Sequence, residues 1–175
     1  GEYVDSRIYS DEKIFKKEMN SIFKKVWIPV CHESEVPENL NFRTSTIAGV
    51  PIMVVRDKGG KIHALKNTSE RRPRGTIELD EGFQDYPDFL HSDVKFGGFV
   101  WVTLNENPPS IETWVDGSFD CMKESLNAEP LDVFHYHKAI IPCNYKLWHD
   151  TNSEFYHDYL HYHNRITGFN DSYFA

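Results

Sequence analysis

Between Phe42 and Leu65 the chain spells out three short β-patterned segments in quick succession, Phe42–Ile47, Pro51–Arg56 and Lys61–Leu65. The last two are joined by Asp57-Lys58-Gly59-Gly60, a hairpin turn in which glycine supplies backbone angles other residues avoid. Strands this short bury little alone, so they must pair with neighbours. Two further segments, Trp27–Cys31 and Gly98–Leu104 (GFVWVTL), offer such neighbours. Short strands separated by Gly and Pro turns predict a small antiparallel barrel or sandwich.

Helical spacing appears on both sides of this β-rich stretch. Ser10 is placed to cap a helix over Asp11–Lys25, with Phe15, Met19, Ile22, Phe23 and Trp27 on one side. Residues Thr68–Asp93 are polar and irregular, and Asn105–Pro109 reads as a loop. Ser118 is a candidate cap for a short helix around Phe119–Asn127. Val133–Cys143 alternates as a strand, with Phe134 and Tyr136 on one face and His135 and His137 on the other. A second long helix is predicted over Leu147–Asn164, ending before Thr167-Gly168. The expected class is α+β. A boundary near Asn107–Ser110 divides the chain into a β domain with an N-terminal helix, 1–107, and an α+β piece, 108–175.

Bulk composition excludes several functions. A net charge of −8 disfavours nucleic acid, which calls for a concentrated basic face. The three cysteines, Cys31, Cys121 and Cys143, form no CxxC pair, so neither a disulfide framework nor a thiolate zinc site is expected. That usage fits a reducing cytoplasm. No signal peptide is found, and no apolar run approaches the length of a membrane span. Nucleotide-binding and nucleophile-elbow motifs are missing.

Six of the nine histidines lie between His135 and His163. In the run HDTNSEFYHDYLHYHNR, Asp150, Glu154, His157 and His161 are spaced by four, three and four residues, one stripe of a helix. Phe155, Tyr159 and Tyr162 flank it on one side, Tyr156 and Leu160 on the other. Such aromatic flanks predict a stripe that points inward. Buried carboxylates and imidazoles then need partners or a metal. Histidines at i and i+4 can bite one ion, and a carboxylate completes the facial triad used by Fe(II) oxygenases. His163 lies roughly 120° around the helix from His157, so His161 is the better second ligand. The competing reading is a buried histidine hydrogen-bond network.

The run Asn144-Tyr145-Lys146-Leu147, then Asp150, Glu154, Tyr156 and His157, resembles the metal-helix signature of Rieske non-haem iron oxygenase α subunits. FKKVWIPVCHESEVPE, FRTSTIAGVPIMVVRDKGGKIHALKN and VKFGGFVWV resemble that family's Rieske domain, so the likeness covers nearly the whole chain. It implies a Rieske-like antiparallel β domain followed by the start of a helix-grip-like catalytic domain. It also implies a [2Fe–2S] cluster held by two Cys and two His, and a mononuclear Fe(2+) that binds O2 beside a small organic substrate. His157 corresponds to the first iron ligand and Glu154 to the acid linking one subunit's cluster to its neighbour's iron. Asp150 corresponds to a supporting acid. Electrons would come from a reductase or ferredoxin. The assembly would be a ring, a trimer or α3β3 with a small β subunit. A weaker likeness to alkanesulfonate and aromatic-acid monooxygenases points to the substrate class.

Three departures stand out. Tyr162 occupies the family's usual second-histidine position, flanked by His161, preferred on helix geometry, and His163, the alternative. Thr151 replaces an expected Asn. Above all, HALKN runs into TSERRPRGTIELDEGF where the family has CxHRG and then CxxH loops, so the cluster ligands are missing. The chain is then either a cluster-less variant or, as the resemblance favours, a sequence that omits both loops. The family's third iron ligand belongs to a later helix. Two rivals remain: a zinc hydrolase with Glu154 as general base, and a non-catalytic scaffold. Elsewhere, Cys31-His32 and Cys143 are expected to be structural, and His63 and His91 to lie on the surface. His135 and His137 are assigned either to a pocket or to the core. Phe134, Tyr136, Trp148, Phe155 and Tyr159 are expected in the core.

Overall fold

The computed structural model describes residues 4–67, 89–120, 126 and 129–153. The chain divides into two compact units, Lys16–Tyr136, and Gly1–Phe15 with His137–Ala175.

The larger unit is built on one six-stranded antiparallel sheet. Its strands are β1 (Ile28–His32), β2 (Phe42–Ile47), β3 (Val50–Arg56), β4 (Ile62–Lys66), β5 (Phe89–Lys95) and β6 (Phe99–Thr103). Their spatial order is β1-β6-β5-β4-β3-β2. The edge strands β1 and β2 approach one another, which curls the sheet towards a barrel. Five strands fall within a residue of the segments expected from the sequence. β5 was not anticipated, because FLHSDVK carries three charged or imidazole side chains. It is a strand because it pairs on both sides, with β6 from His91 to Lys95 and with β4 at Phe89 and Leu90. The ladder overrides weak side-chain patterning. β1 carries a bulge between Pro29 and Cys31, at an edge where proline's missing N–H is tolerated.

Alternation along β3 sends its side chains to two cores. Ile52 and Val54 join Val36, Ile47, Ala64, Val100 and Val102, while Met53 and Val55 pack with Leu65 on the other face. A third cluster gathers Trp27, Trp101 and Ile111, with Phe96 stacked on Phe119 at 4.6 Å. Ile111 is delivered by a helix the sequence reading missed, α3 (Ile111–Val115), whose N-cap Ser110 accepts from the Thr113 N–H.

The helix expected over Asp11–Lys25 runs as α2 (Glu12–Glu18) and a π-helical turn at Met19–Phe23, and a separate short helix, α1 (Arg7–Ser10), precedes it. Ser10 therefore ends a helix rather than capping one. Asp11 takes the cap, its carboxylate accepting the Lys13 N–H at 2.7 Å. Val133–Cys143 forms no strand. It has no partner strand among the described residues, and an unpaired β-pattern cannot satisfy its backbone. Phe134 is fully exposed, and Tyr136, Ile140 and Ile141 are exposed too, so the core placement expected for Phe134 and Tyr136 does not hold. The short helix expected around Phe119–Asn127 falls mostly outside the described residues.

Candidate metal centre

The second long helix begins as α4 (Tyr145–Ser153), two residues earlier than the spacing predicted. Asn144 starts it: its side-chain oxygen accepts the Lys146 N–H at 3.1 Å, a capping role its short amide suits. Within the helix, Asn152 donates back to the Trp148 carbonyl and the rings of Tyr145 and His149 meet edge to face. Of the stripe read from the sequence, Asp150 is described. Glu154, His157, His161 and His163 lie outside the described residues, as do Phe155 and Tyr159. Asp150 is exposed, and α4 buries none of its residues, so the inward orientation expected of the stripe is not met at its first member. Trp148, expected in the core, is exposed as well.

Asp150 nevertheless has a defined partner that no sequence pattern signals. The phenol of Tyr9, on α1, donates to Asp150 Oδ2 at 2.5 Å. That bond, with smaller contributions from burial and from the carboxylate's charge, raises the Tyr9 phenol above its ordinary value. The two residues are 141 positions apart, beyond the reach of any local pattern. The bond ties α1 to α4 at the stripe's first carboxylate.

In the sheet unit, Cys31, His32 and His63 are already committed to structure. Cys31 is buried in β1, and burial, reinforced by the Glu35 carboxylate, pushes its thiol up to about 12 against the opposing pull of Arg43. His32 donates from Nε2 to the Gly97 carbonyl at 2.7 Å and accepts the Ser34 N–H on Nδ1 at 3.2 Å. A carbonyl can only accept and a backbone N–H can only donate, so the partners fix the tautomer and occupy the ring's lone pair. His63, expected on the surface, is buried with Nε2 2.7 Å from Asp57 Oδ2. Its burial follows from β4 sitting inside the sheet beside β3 and β5. His91 is exposed, as expected, and donates to the Glu106 carbonyl. His135, His137 and Cys143 are exposed, so neither the buried role for the histidines nor the packing role for the thiol is observed. Among the described residues, no three His, Cys, Asp or Glu side chains come together as an ion's ligands.

Comparisons with known proteins fit this sheet and this helix. A Rieske [2Fe-2S] domain model matches residues 26–70. The methanesulfonate monooxygenase hydroxylase subunit alpha of Methylosulfonomonas methylovora is 46% identical over 220 residues, covering all of this chain and 53% of that protein. The chain belongs to the Rieske oxygenase α-subunit family. A second member, the 2-aminobenzenesulfonate 2,3-dioxygenase subunit alpha of Alcaligenes sp, is 30% identical over 202 residues, covering 95% of this chain and 51% of that one. The fold is shared with the crystal structure of the quaternary ammonium Rieske monooxygenase CntA in complex with L-carnitine, at a TM-score of 0.73 and 20% identity over 95% of this chain and 56% of that one. This family member spans about half the length of the relatives it matches.

Family membership implies an iron-containing system, and the chain's donor sets can be tested for it. A Rieske cluster needs two thiolates and two imidazoles on facing loops. The connection between β4 and β5, residues 67–88, contains neither Cys nor His. Cys31 is held as a buried thiol, and His32 and His63 are engaged in hydrogen bonds. The residues present in the sheet do not fit a [2Fe–2S] cluster. The histidines read from the sequence as iron donors, His157, His161 and His163, lie outside the described residues.

Proposed function

We propose that the chain is the α subunit of the hydroxylase component of a multicomponent Rieske-type oxygenase. It would activate O2 at a mononuclear Fe(II) to hydroxylate a small organic substrate, with electrons from a separate reductase or ferredoxin. The observation that carries this reading is the 46% identity over the entire chain to a methanesulfonate monooxygenase hydroxylase α subunit. Both relatives named above act, by their names, on sulfonates. A small sulfonate, aliphatic or aromatic, is therefore the first substrate class to test, with aromatic acids second.

His157 and His161 would hold the iron, with His163 the alternative second ligand and the third supplied from outside these residues. Bound there, ferrous iron supplies the coordination and activation of dioxygen. Glu154 would accept a hydrogen bond from a ligand histidine and set its orientation. Asp150 would support the same face one turn earlier, with Tyr9 fixing its carboxylate. Residues 1–107 would form the Rieske-like domain and 108–175 the opening of a helix-grip-like catalytic domain. A trimer or α3β3 ring, with a small β subunit, is the expected assembly in the cytoplasm. No helix among the described residues is long and apolar enough to cross a membrane.

The test is metal analysis with oxygen uptake. One iron per chain, lost in His157→Ala with His161→Ala, and substrate-dependent oxygen consumption with a reductase present are expected. Zinc in place of iron, with no oxygen consumed, would replace this reading with metal-assisted hydrolysis. Neither metal nor activity would leave a scaffold.

A further inference from the structure

We infer that this polypeptide folds its Rieske-type sheet without an iron–sulfur cluster. The inference rests on the sheet and its sequence and is independent of the iron reading above.

Three observations converge on it. First, the 46% match runs over 220 aligned positions although the chain has 175 residues, and it covers the whole chain. At least 45 positions of that relative therefore face no residue here, and the shortfall is internal. Second, the 22 residues numbered 67–88 are all that connect β4 to β5, and they carry neither Cys nor His. Elsewhere the sheet unit's sequence holds two cysteines in no paired motif, Cys31, inside a strand, and Cys121. Third, the sheet is closed by contacts of its own. Arg56 donates to the carbonyls of Val36, Gly60 and Glu33 at 2.6, 2.7 and 3.3 Å, tying the β3–β4 hairpin to the segment after β1. His32 and the Glu33 N–H hold the carbonyls of Gly97 and Gly98 at 2.7 and 2.8 Å, pinning the β5–β6 turn to the end of β1. The ring of His63 meets Phe89 edge to face at 5.6 Å across the β4–β5 step. The Arg56 bonds come from a charged donor and are among the stronger ones, and neutral bonds from His32 and the Glu33 N–H fasten the other end, so the sheet is closed without a metal. A second copy of these residues would bring no further cluster ligands, because it carries the same three cysteines.

The experiment uses the whole 175-residue chain, incubated anaerobically with ferrous iron and sulfide and then desalted. Acid-labile sulfide, iron and the electron paramagnetic resonance spectrum after dithionite are measured, with far-ultraviolet circular dichroism during heating. No labile sulfide, no Rieske-type signal and a cooperative transition that chelator does not move are expected. Two sulfides per chain with a reduced-cluster signal would overturn the inference, and so would a sheet that melts out when chelator is added. Peptide mapping across residues 66–89 provides a second check. A bridging peptide with the mass of the sequence is expected, and a longer one containing Cys and His overturns it. Iron bound without sulfide supports both this inference and the mononuclear site. The absence of both iron and sulfide supports this inference too.

Discussion

Gly98→Ala isolates the contact that pins the β5–β6 turn. Gly98 has φ +89°, and a Cβ added there would lie 2.5 Å from His32 Nε2 and 2.7 Å from Glu33 Oε1. The glutamate tip can swing away. The imidazole cannot do so cheaply, because it is buried, bonded to Gly97 and packed edge to face on Phe99 at 5.5 Å. Forcing a non-glycine residue to positive φ costs about 1–2 kcal/mol. Expelling the ring forfeits a hydrogen bond worth about 0.5–1.5 kcal/mol. Together these predict a loss of roughly 2–3 kcal/mol, a shift of about 1–2 M in the urea midpoint if m is near 1.5 kcal/mol/M. The assay is equilibrium urea unfolding followed by the fluorescence of buried Trp27 and Trp101. Gly60→Ala is the control: its φ is +86°, but no atom lies within 4 Å of an added Cβ, so it reports the backbone term alone. If Gly98→Ala costs no more than Gly60→Ala, the clamp by His32 is not rigid and the argument fails.

Three further outcomes follow from the same contacts. Native maleimide labelling with peptide mapping should modify exposed Cys143 and spare Cys31, whose thiol is buried and pushed up to about 12, until denaturant is added. At Asp57, burial raises the carboxyl, but the His63 bond and the N–H groups of Lys61 and Gly59 outweigh it, so its value sits below the ordinary one. A depressed carboxylate stabilises the fold above its unfolded value and loses that contribution as pH falls through the folded one. Urea titrations in the acid range below about pH 4 should therefore show a decline that Asp57→Asn diminishes. Tyr9 behaves oppositely: its raised phenol keeps the Asp150 bond at neutral pH and loses it as pH rises through the folded value. Ultraviolet titration should show one phenol returning towards its ordinary value in Asp150→Ala, and an unchanged spectrum would remove the Tyr9–Asp150 bond from the structure.

Much of the sheet was legible because strand periodicity and turn chemistry are local. β2, β3 and β4 announce themselves through β-branched residues and the Asp57–Gly60 turn, where the Lys61 N–H does bond Asp57 Oδ1 at 2.8 Å. β5 was illegible because a strand paired on both sides can carry His91, Asp93 and Lys95, with Lys95 reaching Glu112 at 2.9 Å. Val133–Cys143 misled in the other direction: β-propensity is a statement about fitting a pleated surface, and there is no partner strand among the described residues. The stripe of Asp150, Glu154, His157 and His161 is legible as spacing alone. Its link to Tyr9 is not, since a hydrogen bond between residues at opposite ends of a chain leaves no periodic trace. His63 was misplaced for a related reason, because burial of one imidazole depends on which strands end up on either side of it.

The strand order has a consequence for how the sheet assembles. β2, β3 and β4 follow one another in sequence and in space, so their pairings close short loops and can form early. β1 is the first strand made but pairs only with β6, Ile28 meeting Val102 at a separation of 74 residues. That pairing must wait for β5 and β6 and close the largest loop in the sheet. The β2–β4 hairpins should therefore form the nucleus, with β1 docking after the main barrier is crossed. Substitutions in β1 should speed unfolding more than they slow folding, while substitutions in the β3–β4 hairpin should do the reverse.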